Sequence, residues 1–83
     1  MSEHENPPGD AHRIVCNLDR LLADRQMTLT ALADGVGVTV VNLSILKNDR
    51  AKAVRFSTLT RICEVLGCHP GDVFSLAPPI TQG

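Results

Sequence analysis

Residues 29 to 48 (LTALADGVGVTVVNLSILKN) leave this chain few folds to choose from. They read as a short helix, a tight turn and a second helix. Apolar or small residues stand at Leu32, Ala33, Val36, Val38, Leu43 and Leu46, where two crossed helices must touch. Ala33 lies ten residues before Leu43, and at a helix crossing a small side chain lets the partner approach closely. Gly37 separates the two apolar stretches, where the turn needs a positive φ that only glycine adopts cheaply. Thr39 follows as an N-cap, its hydroxyl placed to accept a bond from an orphan amide of the next turn.

The flanking sequence extends this pair into a small domain. Residues 1 to 11 are polar, rich in proline and glycine, and read as a disordered leader. Residues 12 to 16 are ambiguous. Ile14-Val15-Cys16 favours a strand, yet Ile14, Leu18, Leu21 and Leu22 also follow a helical stripe. If this stretch is extended it needs a pairing partner, and the twin strand of a dimer is one candidate. The first helix then runs to about Arg25, with Asn17 as an N-cap if it starts late. The second helix begins at Thr28 and ends at Gly35, and the third runs from about Val40 to Asn48. Residues 49 to 56 lack periodicity and read as a loop. Ser57 caps a fourth helix with the stripe Leu59, Ile62, Cys63 and Leu66, which puts Cys63 in the core and stops at Gly67. His69-Pro70 starts a last short helix that buries Val73 and Phe74. The domain so read covers residues 12 to 76, with a flexible tail over 77 to 83. The expected fold is all-α, a compact five-helix domain.

Composition narrows the function classes. At 83 residues the chain has room for one domain, and a domain near this size buries roughly 60% of its unfolded surface. No apolar run approaches the ~20 residues of a membrane span, and the acidic N-terminus lacks the basic and apolar regions of a signal peptide. Three cysteines without an export signal point to a reducing cytoplasm and reduced thiols. Cys63, Cys68 and His69, with Cys16, suit zinc by type. However, no CxxC pair exists, and a cysteine on a core stripe behaves as a small hydrophobe. The sequence therefore points to no metal and no cofactor. No glycine-rich phosphate loop, HExxH or nucleophile elbow is present, so no catalytic role or small-molecule substrate is expected. With no Trp, no Tyr and two Phe, the chain lacks the aromatic platforms that single-stranded nucleic acids stack on.

The net charge of −1 is low for a nucleic-acid binder, but it is unevenly spread. Residues 35 to 63 carry five basic residues (Lys47, Arg50, Lys52, Arg55, Arg61) against one acid, Asp49. A local basic face sets the field that a polyanion meets, whatever the sum. The run Lys47, Arg50, Lys52, Arg55 reads as a phosphate clamp that needs only charge and reach. The alternative is an ordinary solvated loop.

On these residues the chain resembles the Cro and lambda-repressor-like helix-turn-helix domains of bacterial and phage transcription regulators. The resemblance covers about residues 17 to 76. Asn42-Leu43-Ser44-Ile45-Leu46-Lys47, Arg55-Phe56-Ser57-Thr58-Leu59 and Pro70-Gly71-Asp72 are similar to short, stand-alone bacterial members. It implies a cytoplasmic regulator of transcription, a repressor more often than an activator, bound as a homodimer to double-stranded DNA. It further implies that the third helix enters the major groove, with Val40, Val41, Ser44 and Ile45 as base readers. Thr39 and Asn48 would hold phosphates at the two ends of that helix, and Thr28 at the start of the second. Such positions more often carry Gln, Arg, Ser or Asn, which distinguish bases by paired hydrogen bonds. Three of the four here are apolar. Val41 and Ile45 therefore also fit a protein contact, as in an antitoxin-like or partner-binding module of the same fold.

Overall fold

The computed structural model describes residues 12 to 48 and 53 to 78. The expected leader, Asp49 to Lys52 of the loop, and the end of the tail lie outside these residues. In chain order the elements are β1 (Ile14–Cys16), α1 (Leu18–Asp24), α2 (Leu29–Val36), α3 (Val40–Lys47), α4 (Phe56–Leu66), α5 (Pro70–Val73) and β2 (Phe74–Leu76).

The five expected helices form, but the fold is not purely α. β1 and β2 pair antiparallel, with Ile14 opposite Leu76, Val15 opposite Ser75 and Cys16 opposite Phe74. The strand at 14 to 16 thus finds its partner within its own chain, not in a twin. Two anchors explain why the helical stripe loses there. The Asn17 N–H donates to the Val73 carbonyl at 2.7 Å, and the Ala77 N–H donates to the Arg13 carbonyl at 2.8 Å. Asn17 stands at the N-cap of α1, yet its side-chain amide reaches Ser75 Oγ at 3.3 Å and caps nothing. Phe74, expected in the last helix, leaves it with φ −123° and ψ 145° and is half-buried in the sheet.

Helix boundaries follow their caps. α2 runs one residue past Gly35 to Val36, and Gly37 ends it with φ 89°. Gly35 instead faces α4. A Cβ there would come within 3.1 Å of Val65 Cγ2, so glycine lets the two helices close together. α4 begins ahead of Ser57, because the Leu59 N–H donates to the Arg55 carbonyl at 2.9 Å and closes the first turn from there. α3 ends at Lys47, with Asn48 as its C-cap.

The core gathers one face of every helix. Leu18, Leu21, Leu22, Leu32, Ala33, Val36, Leu43, Leu46, Ile62, Leu66 and Val73 are buried, each large side chain contributing about 1.5–3 kcal/mol through its removal from water. Val38, Leu59 and Cys63, expected with them, are only partly buried and pack at the core's margin. Two arginines hold the C-terminal ends of other helices across the fold. Arg25 Nε donates to the Leu66 carbonyl at 2.6 Å, and Arg61 Nη2 donates to the Gly35 carbonyl at 2.9 Å. Each places a cation where a helix C-terminus carries partial negative charge. Among the described residues no single helix is long and apolar enough to cross a membrane.

Candidate nucleic-acid interface

α2 and α3 meet at 113° across the turn 37 to 39. That lies within the roughly 90–120° of helix pairs that present their second helix to a groove. The angle follows from two local devices. Gly37 takes the left-handed conformation, and its N–H returns to the Ala33 carbonyl at 2.8 Å. Thr39, extended at φ −81° and ψ 155°, turns the chain into α3 and accepts from the Asn42 N–H through Oγ1 at 3.0 Å. Thr28 repeats this at the head of α2, accepting from the Ala31 N–H at 3.0 Å. Both threonines are exposed. Each helix start therefore keeps amides that its cap does not consume, the ordinary condition for anion binding there.

The inner edge of α3 is spent on the core through Leu43 and Leu46, which are 1% and 8% exposed. Its outer edge is largely open. Val41 is 67% exposed, Ile45 41% and Val40 38%. Ser44 is half-buried on the same side, and its Oγ accepts from Asn48 Nδ2 at 3.4 Å. The four residues expected to read bases thus share one outward surface, and three of them offer no hydrogen bond.

The basic run is less uniform than its spacing suggested. Lys47 folds back toward α1, where Nζ lies 3.3 Å from Asp19 Oδ1, and it also reaches Asn48 Oδ1 at 3.5 Å. Arg55 is exposed at the head of α4. Arg50 and Lys52 lie outside the described residues. Arg61 is committed to α2's C-terminus and to Glu64, 3.8 Å away. Asp19 is the residue that sequence reasoning missed. It stands 28 positions before Lys47, and nothing local marks the pairing.

Among the described residues, no three His, Cys, Asp or Glu side chains converge as metal ligands would. His69 stands at the N-cap of α5, where its N–H donates to Asp72 Oδ2 at 2.9 Å.

Comparison with known proteins agrees with this geometry. The Cro/C1-type HTH DNA-binding domain matches residues 17 to 79. An uncharacterized HTH-type transcriptional regulator of Bacillus subtilis strain 168, YozG, is 55% identical over 60 residues, covering 72% of this chain and 71% of its own. The crystal structure of the transcriptional regulator VanUg superposes with a TM-score of 0.69 at 32% identity, over 92% of this chain and all of that one. The chain belongs to the family of Cro/C1-type helix-turn-helix DNA-binding domains.

Proposed function

We propose that this helix-turn-helix transcriptional regulator acts as a repressor by laying α3 in the major groove of duplex DNA. The observation that carries the reading is the outer face of α3. It projects from a 113° helix pair, and Val40, Val41 and Ile45 on it are all exposed. Val40, Val41, Ser44 and Ile45 then meet base edges, the apolar three through thymine methyl groups. Thr28, Thr39 and Asn48 bond phosphates, and Lys47, Arg50, Lys52 and Arg55 supply the charge that makes binding depend on salt.

One such helix makes few contacts, so two copies on half-sites about 34 Å apart supply the specificity. Phe56, 84% exposed at the head of α4, offers apolar surface toward a second copy. A chain with this role works in the cytoplasm as a binding protein, not as an enzyme.

A second reading rests on the same face. Val41 and Ile45 are apolar and open, which also suits docking on a protein partner. Changing both to Ser separates the two. Weakened retention of operator-length duplex DNA supports groove reading, whereas intact DNA binding with loss of a protein partner supports the second.

A further inference from the structure

We propose that Cys63 and Cys68 form a reversible intramolecular disulfide by exchange with low-molecular-weight disulfides, making the corner between α4 and α5 a thiol-modification site. The backbone brings the pair together. Gly67 ends α4 in the left-handed conformation at φ 66°, and the Cys68 N–H returns to the Cys63 carbonyl at 3.0 Å. This six-residue closing bond sets the residues at its two ends side by side, where their side chains ordinarily touch. Here both are thiols, and Cys68 is among the groups that hold the proton on Cys63.

The pair is also reachable. Both cysteines are only half-buried, and both line an open cleft of about 400 Å³ with Glu64 and His69 beside them. That leaves the pair open to approach by a small disulfide. Burial, followed by Cys68 and Asp72, pushes the Cys63 thiol above its ordinary range. Cys63 therefore gives up its proton reluctantly, which leaves the first attack to its neighbour.

In the exchange, the Cys68 thiolate attacks one sulfur of the small disulfide and expels one small thiolate. Cys63, once deprotonated, attacks Cys68 Sγ and expels the second. The protein loses two protons and two electrons, and the small disulfide is reduced to two thiols. The same steps run backwards when small thiols are in excess, a small thiolate attacking one sulfur of the pair and a second releasing the other cysteine.

The full-length reduced protein is incubated with oxidised glutathione, alkylated with N-ethylmaleimide and digested with trypsin. Cleavage after Arg61 releases residues 62 to 83 with both cysteines, while Cys16 travels in residues 14 to 20. The expected 62-to-83 peptide is two hydrogens lighter and unalkylated, and dithiothreitol restores both alkylations. Cys16→Ser retains this behaviour and Cys68→Ser abolishes it. Cross-linking of residues 14 to 20 to residues 62 to 83, stable glutathione adducts on the latter peptide, or full alkylation of it after excess oxidant would overturn the proposal.

Discussion

On the proposed reading, Asp19 opposes any contact of Lys47 with DNA. To reach a phosphate, Lys47 must leave a carboxylate oxygen 3.3 Å away. The two side chains are 22% and 76% exposed, so the pair is solvent-screened and worth about 0.2–1 kcal/mol. Whatever it is worth is subtracted from DNA binding. Asp19→Asn removes that opposing term, and dividing by RT gives an affinity gain of about 1.4- to 5-fold at low salt. Lys47→Ala should flatten the plot of log affinity against log salt by about 0.9 units, the increment for one phosphate contact. In the Lys47→Ala background the Asp19→Asn gain should largely vanish, because what it released is gone.

The assay is fluorescence anisotropy with a labelled duplex of random sequence, over a salt series, for the four proteins of the cycle. An equal gain from Asp19→Asn with and without Lys47 would refute the reasoning, since the effect would then be the carboxylate's general repulsion of DNA. An unchanged salt slope in Lys47→Ala would refute it also.

Three further outcomes test the fold beneath the site. Leu43→Ala empties a position 1% exposed at the crossing of α2 and α3 and should cost about 2–5 kcal/mol in urea unfolding; a loss below 1 would mean that the crossing is not packed as described. Gln26 sits at φ 51° between α1 and α2, so Gln26→Gly should add about 1 kcal/mol with the denaturant slope unchanged, and a loss would show that its side chain is needed. Thr39→Ala removes the 3.0 Å bond to the Asn42 N–H and should cost about 1 kcal/mol, seen as a lower unfolding midpoint.

Which parts of this were legible in the sequence follows from the range of each signal. Gly37, Thr28 and Thr39 act on atoms within a few residues, and all three do in the structure what their types suggest. The stripes Leu32, Ala33, Val36 and Leu43, Leu46 are equally local, and every one of these residues is buried. β2 was not legible. Phe74-Ser75-Leu76 continues a helix start and gains its strand only by meeting residues 14 to 16 at the other end of the chain. The same holds for the site's electrostatics. The spacing of Lys47, Arg50, Lys52 and Arg55 reads as one clamp, but the first of them is held by an acid from α1. Arg61, counted with the basic face, is spent on the end of α2. Long-range partners decide which charges a ligand meets, and a linear pattern carries no record of them.

On the proposed function, α3 is the surface that meets duplex DNA. Amide chemical shifts of the isotope-labelled protein, followed while duplex DNA is titrated at low salt, test it most directly. Large shifts are expected at Thr28 to Ala31 and at Thr39 to Ile45, reversed by added salt, with α5 and the sheet unmoved. Shifts centred on the sheet or the α4–α5 corner with α3 silent, or none at all at low salt, would contradict it.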